Sequence, residues 1–320
     1  MVMKAYFPDA DTPEEFQSVR RDEARLRPGV LAIRERLGLG SAEVERFPDG
    51  SLPVYRVGAT RVLKLYPPCY FSERDREWRV MQVLDGRLPI ATPGIEAVGE
   101  LEGWGYVLMQ FLPGRISSEV WQDLGREDRM RLGASLGEAL AALHAICDPR
   151  LEAFRTDWPA FLAAQRRGCV ARQRGLRLAD AWLEQIPAFL EETDLGSGSA
   201  ESLLHTEIMR EHLLIERGSG GWAFSGLIDF EPAMVGAPEY EFASVGLFFS
   251  CTDAPLLRSV LLGYGLGEVR MDEALQRRFL AYGLLHRYSN VPWYLERLPP
   301  PAGARTLEDL AAWWWRLEGS

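Results

Sequence analysis

Lysine and asparagine are nearly absent from this 320-residue chain: Lys occurs only at positions 4 and 64, and Asn only at position 290. All the other basic residues are Arg, so chemistry that needs a compact ammonium or an Asn amide has almost no candidates. Cysteine is scarce too. Cys69, Cys147, Cys169 and Cys251 are far apart, with no CxxC pair and no His at zinc-ligand spacing, which argues against a disulfide framework or a zinc site. They are expected to be free, mostly buried thiols. Positive charge is in deficit, with 36 Lys plus Arg against 46 Asp plus Glu and a net charge of −10. That balance disfavours nucleic acid and acidic membranes as partners. The run of Arg166, Arg167, Arg172, Arg174 and Arg177 reads as solvated helix faces. No apolar stretch approaches the ~20 residues of a membrane span, and the start lacks a basic region followed by an apolar core. A cytoplasmic protein is therefore expected. With 47% hydrophobic and 26% charged residues the chain is ordinary globular material, one large domain or two lobes.

What is present changes period along the chain. Residues 12–38 read as one or two amphipathic helices, with Thr12 capping before Pro13 and a stop at Gly38–Gly40. Short strand-like runs around Val44, Val54–Val57 and Val62–Tyr66 follow, broken at Pro48-Asp49-Gly50-Ser51 and Gly58-Ala59-Thr60. A helix from Ser72, the expected cap, to Leu84 precedes two more strands, 94–99 and 106–112, and Leu112-Pro113-Gly114 reads as a linker. Beyond it the pattern is mainly helical: a long helix ending near His144, then 159–175 and 178–192. A flexible break is expected at Gly196–Ser199, and a hairpin at 213–228 turning through Arg217–Gly221. Helices resume from 239. The expected architecture is α+β and two-lobed: a small antiparallel β-sheet lobe over 1–111 with a helical extension at about 1–40, and a larger, mainly helical lobe over 112–320.

Three places carry chemistry. Lys64 stands in an apolar strand run of a chain that otherwise avoids Lys, which suggests a site where a guanidinium will not serve. Thirteen residues on, Glu77 is its natural ion-pair partner, in the strand-Lys, helix-Glu layout that grips nucleotide phosphates. Second, the stretch from Leu203 to Ile215 places His205, Thr206, Glu207 and His212 in a short polar loop leading into a strand, where catalytic groups tend to sit. Third, Gly226-Leu-Ile-Asp229-Phe230-Glu231 is an apolar strand ending in an acid, a common source of Mg²⁺ ligands.

Strand Lys, helix Glu, linker, helical region, His-x-acid loop, hairpin and Ile-Asp-Phe occur in an order that resembles the aminoglycoside phosphotransferase and choline kinase families, over roughly residues 43–290. Arg87–Glu100, Gly105–Gly114 and Leu136–His144 look like that family's text at matching places. The resemblance implies a protein-kinase-like fold and a small-molecule kinase using ATP or GTP with Mg²⁺ or Mn²⁺, of the kind linked to antibiotic resistance. It implies Lys64 on the phosphates, oriented by Glu77. Asp229 would hold metal, Gly50 and Ser51 would lie over the phosphates, and Met109, Gln110 and Phe111 would be the hinge whose peptide groups read the purine. The family loop is typically His-Gly-Asp with Asn five residues later. Here those positions hold Glu207, the expected general base, and His212, a second expected metal ligand. An extra methylene at the base and a nitrogen ligand where Mg²⁺ prefers oxygen also suit an alternative, a weak or inactive nucleotide-binding protein that regulates a partner.

The acceptor is expected to be a small hydroxyl compound. Glu207, Glu211, Glu231, Glu239 and Glu241 would suit a cationic aminoglycoside. Tyr282, His286, Tyr288, Trp293, Tyr294 and Trp313–Trp315 read as helix packing or as an aromatic wall for a sugar, nucleoside or flat ring. Oligomeric state is not legible.

Overall fold

The computed structural model describes residues 5–48, 50–196 and 201–317, and the protein has an α+β fold. Asp49 of the expected first turn and all of the Gly196–Ser199 break except Gly196 lie outside the described residues. Backbone proximity divides the chain into two compact units. The first comprises Met1–Gly86, Ala91–Pro113 and a short visitor from far along the chain, Ile228–Pro232. The second comprises Arg87–Ile90, Gly114–Leu227 and Ala233–Ser320.

The first unit opens with α1 (Pro13–Val19) and α2 (Glu23–Arg36). Thr12 caps α1 with a full capping box, its hydroxyl accepting from Glu15 N–H while the Glu15 carboxylate accepts from Thr12 N–H. Strands β1 (Val44–Arg46), β2 (Val54–Val57), β3 (Arg61–Tyr66), β4 (Ile95–Leu101) and β5 (Trp104–Gln110) form an antiparallel sheet in the order β1-β2-β3-β5-β4. Its core holds Phe16, Leu26, Val30, Tyr55, Leu63 and Leu65, and the buried Trp104 indole donates to the Pro8 carbonyl. Helix α3 (Phe71–Leu84) starts after a 3₁₀ turn at Pro68–Tyr70, one residue earlier than expected. Ser72 does not cap it: its hydroxyl donates to Glu73 instead.

In the second unit, β6 (Arg115–Ile116) and α4 (Ser117–Val120) lead to α5 (Arg126–His144), then α6 (Trp158–Gly175). The stretch expected as one helix over 178–192 is two, α7 (Asp180–Leu183) and α8 (Ile186–Glu192), separated just before Pro187. Strands β7 (Ser202–Leu204), β8 (Leu213–Gly218), β9 (Gly221–Leu227) and β10 (Met234–Gly236) follow. The expected hairpin is β8–β9, and it is joined by β6, while β7 pairs with β10. Short helix α9 (Glu241–Ser244) runs into a π-helical turn over Val245–Ser250. Then come α10 (Ala254–Gly263), α11 (Glu273–Leu285), α12 (Val291–Arg297) and α13 (Leu307–Trp314). Helices α5 and α10 touch backbone to backbone: a Cβ on Gly137 would lie 2.1 Å from the Val260 carbonyl oxygen, and one on Gly263 2.2 Å from that of Ala134. Asn290 caps α12, accepting from Trp293 N–H. Of the cysteines only Cys169 is buried; Cys69 and Cys251 are half-buried and Cys147 is exposed, short of the burial expected.

Candidate active site

In the first unit, β3 alternates so that Lys64 and Tyr66 share the face opposite Leu63 and Leu65. Lys64 is 7% exposed, and its Nζ lies 2.5 Å from Asp229 Oδ1, 2.6 Å from Glu231 Oε2 and 3.1 Å from Glu77 Oε2. Glu77 is 2% exposed and also accepts from the Tyr66 hydroxyl. One ammonium therefore meets three carboxylates. Burial works against the Lys64 charge, but Asp229, Glu231 and Glu77 outweigh it and lift its pKa well above the ordinary value. Burial raises the Glu77 carboxyl out of the usual carboxylate range, only partly opposed by Lys64. Asp229 sits at φ +73°, a left-handed position that Asp tolerates better than most residues. The Arg76 guanidinium donates to the Glu231 carbonyl, which holds the segment after Asp229 in place. The oxygens of Glu77, Asp229 and Glu231 lie within 4.8 Å of one another, a hard-oxygen set that fits a divalent cation. Glu231 was expected among the acids that could face the acceptor, and the structure brings it into this cluster.

Gly50 and Ser51 lie exposed in the turn between β1 and β2, Gly50 at φ +122°. Met109 and Gln110 end β5, where Gln110 N–H donates to the Gly94 carbonyl and Phe111 N–H to that of Thr60. Those two donors are spoken for within the sheet, so a purine edge at this stretch would be met by other peptide groups.

In the second unit, the loop after β7 carries the other candidates. His212 Nδ1 lies 2.8 Å from the Glu207 carbonyl oxygen, to which it donates, so the neutral ring has its lone pair on Nε2. The loop backbone is gripped from behind. Glu241, fully buried on α9, accepts from His205 N–H at 2.7 Å and Thr206 N–H at 2.8 Å, one through each carboxylate oxygen. His144 Nε2 stands 3.6 Å from Glu241, and His144 Nδ1 is 2.8 Å from the Tyr264 hydroxyl. On the other side His286 Nε2 donates to the Thr206 carbonyl at 3.1 Å, and Arg287 Nη2 reaches Thr206 Oγ1 at 3.4 Å. Ile208 N–H donates to Ser244 Oγ at 3.0 Å. These partners hold Thr206 at φ +73°. For a β-branched residue that conformation costs on the order of 1–2 kcal/mol, and it accounts for the Gly that the resembling families place there.

A family model described as "Phosphotransferase enzyme family" matches residues 43–276. The chain belongs to that family. No curated protein matches it by sequence. Among solved structures it is similar to the GDP complex of aminoglycoside 2'-phosphotransferase-IIIa, with 17% identity and a TM-score of 0.69 over 84% of this chain and 96% of that one. It is also similar to macrolide 2'-phosphotransferase MphH from Brachybacterium faecium, with 21% identity and a TM-score of 0.60 over 86% of this chain and 99% of that one. The fold is thus the protein-kinase-like one of the phosphotransferases.

Within this phosphotransferase, sequence reasoning missed the roles of Glu241, His144, Tyr264 and His286. Glu241 and His286 stood out as an acid opening a helix and as part of an aromatic region, and neither signal pointed to the loop. His286, which donates to the Thr206 carbonyl, is disfavoured from taking a second proton by its surroundings. Burial, reinforced by the Arg287 charge and to a smaller degree by Arg172, pushes its pKa down to about 4, although the Thr206 carbonyl and Glu241 pull the other way. An unfolded His titrates near 6.5, so between those values the unfolded chain holds the extra proton and stability falls as pH drops, by at most about 1.4 kcal/mol per pH unit. His286→Gln keeps a donor for Thr206 and cannot titrate. Urea midpoints between pH 4 and 6.5 are expected to fall less steeply in the variant, by about one proton's worth; equal slopes would place the titrating group elsewhere.

Proposed function

We propose that this protein is a small-molecule kinase, transferring the γ-phosphate of ATP or GTP to a hydroxyl of an aminoglycoside-like or other small acceptor. The observation that carries the reading is the meeting of Lys64 from β3, Glu77 from α3 and Asp229 from the Ile-Asp-Phe segment around one buried ammonium. Phosphoryl transfer asks for positioning and charge stabilisation, not for a covalent protein nucleophile, and these residues are suited to both. Lys64 would pair with nucleotide phosphate, held in place by Glu77. Asp229, with Glu231 and His212, would hold Mg²⁺ or Mn²⁺, which when bound neutralises charge on the phosphates. Glu207 would accept the proton of the acceptor hydroxyl, with its backbone anchored through the neighbouring Thr206. The family membership supports phosphotransfer as the chemistry.

The test is thermal unfolding with ATP or GTP and Mg²⁺ or Mn²⁺, followed by acceptor-dependent release of nucleoside diphosphate. A nucleotide at 100 times its Kd is expected to add about 2.7 kcal/mol of stability. No shift with any pair defeats the proposal. A shift without diphosphate release for any hydroxyl compound favours the regulatory alternative.

A further inference from the structure

Apart from the candidate site, the second unit contains a cavity of about 220 Å³, walled by Phe242 of α9, Leu261 of α10, and Leu275 and Phe279 of α11. An apolar cavity of about 150 Å³ is enough for benzene, so this one has room for a six-membered ring and a few further heavy atoms. Two charged residues, Glu239 and Arg270, also line it. Glu239 Oε1 faces Arg278 at 3.4 Å, and the same guanidinium reaches Asp194 at 3.5 Å. Glu239 Oε2 is buried and accepts no hydrogen bond among the described residues. Arg270, at the end of a 3₁₀ turn over Glu268–Arg270, is exposed and makes no ion pair among the described residues. The acids beside it in sequence are taken: Glu268 pairs with Arg258, and Asp272 accepts from Leu275 N–H at 2.9 Å. The cavity thus offers an apolar interior, one carboxylate oxygen in want of a donor and one guanidinium in want of an anion. Glu239 and Asp194 balance Arg278 and Arg270, so the lining favours a molecule carrying both signs over a bare cation or a bare anion.

The wall also leads to the Glu207 loop. Tyr264, the residue after α10, lines the cavity, and its hydroxyl is 2.8 Å from His144 Nδ1. His144 Nε2 stands 3.6 Å from Glu241, the acid that accepts from the His205 and Thr206 amides. With Tyr264 donating to Nδ1, the neutral imidazole carries its proton on Nε2, on the side of Glu241. Phe242, next to Glu241 in α9, borders the same cavity. An occupant therefore touches the frame of the loop twice, at Tyr264 and at Phe242.

We propose that this cavity is a second ligand site, for a small zwitterion with an apolar body, of the class of the free apolar amino acids, and that its occupancy reaches the Glu207 loop through Tyr264 and His144. The ammonium donates to Glu239, the carboxylate meets Arg270, and the side chain fills the space among Phe242, Leu261 and Phe279. A ligand that binds better with Tyr264 seated on His144 holds the clamp closed in return. The inference goes beyond the kinase reading and does not rest on it.

The test is equilibrium dialysis of the full chain with L-phenylalanine, L-leucine, 3-phenylpropanoate, which lacks the ammonium, and 2-phenylethylamine, which lacks the carboxylate. An amino acid is expected to bind about 10-fold more tightly than either truncated compound. Arg270→Gln, a change in an exposed side chain that leaves the fold intact, should weaken the amino acid and 3-phenylpropanoate about 10-fold and leave 2-phenylethylamine unchanged. Glu239→Gln should weaken the amino acid and 2-phenylethylamine and leave 3-phenylpropanoate unchanged. Hydrogen exchange supplies the second readout: saturating amino acid should slow exchange of the His205 and Thr206 amides about 10-fold in wild type, and much less in Tyr264→Phe, which keeps the wall but loses the bond to His144. No binding of either amino acid overturns the inference, as does a truncated compound that binds as well as the amino acid. An amino acid bound equally by wild type and Arg270→Gln sits elsewhere and overturns it too. Exchange at His205 and Thr206 that does not respond to the ligand, or responds equally in Tyr264→Phe, overturns the route to the loop.

Discussion

Lys64→Met is expected to cost about 3–5 kcal/mol of stability and to abolish phosphoryl transfer. The ammonium stands against Glu77, Asp229 and Glu231, two at or below 2.6 Å and the third at 3.1 Å. Met has nearly the length and volume of Lys, so the loss is electrostatic and not one of packing. Removing one partner of a buried ion pair leaves uncompensated charge, which is where the 3–5 kcal/mol arises. With the ammonium gone, Glu77, already pushed up by burial, is expected to take up a proton, which leaves Asp229 and Glu231 to repel one another. Adding Glu77→Gln to Lys64→Met should therefore change the stability little and restore none of the transfer activity. Urea denaturation of the two variants and of wild type, with diphosphate release measured alongside, checks both parts. A Lys64→Met protein as stable as wild type would mean that the cluster is not ionised as described. An active one would remove Lys64 from the phosphate site. Lys64→Arg is no gentle control, since the planar guanidinium cannot take the place of a compact ammonium between three acids.

How much of this was legible beforehand depended on the sequence distance over which each contact acts. Lys64 stood out because the chain otherwise avoids Lys, and Glu77 because strand Lys and helix Glu are near neighbours in sequence. Asp229 announced itself at the end of an apolar strand. The longer helices α2, α5, α6 and α11 show their periodicity over ten or more residues. Strands β6, β7 and β10 have two or three residues each, too few for an alternation to register. Ser72 looked like a cap because its residue type favours that role, yet a 3₁₀ turn begins the helix before it. The loop clamp was the least visible part. Glu241 meets the amides of residues 35 and 36 positions earlier, and His286 meets a carbonyl 80 positions earlier. No local pattern encodes those meetings. Nor does Thr suggest a left-handed backbone; only the resemblance to a family with Gly at that place hinted at what φ Thr206 must adopt.

Glu207→Gln and Glu241→Ala should separate the base from the frame that carries it. Glu207→Gln removes a proton acceptor while keeping size and backbone, and a positioned base contributes roughly 10²- to 10⁴-fold. Transfer is expected to fall by that factor, with the unfolding midpoint near wild type. Glu241→Ala acts on both quantities. It strips the acceptor from the His205 and Thr206 amides, which are buried, and each unsatisfied N–H costs about 1–3 kcal/mol. It also frees Thr206 to leave φ +73°, since the strained conformation is held by partners on both sides of the peptide. As the loop relaxes, Glu207 moves, and a displacement of about 1 Å is enough for roughly a 10²-fold loss in rate. Glu241→Ala should therefore lose about 2–6 kcal/mol of stability together with most of its activity. Adding Thr206→Gly to Glu241→Ala should recover some of the stability, because Gly occupies the left-handed region without penalty, but little of the rate, because a looser loop places the base no better. Equal activity in Glu241→Ala and wild type would show that the clamp does not position the loop, and full activity in Glu207→Gln would assign proton acceptance to another group.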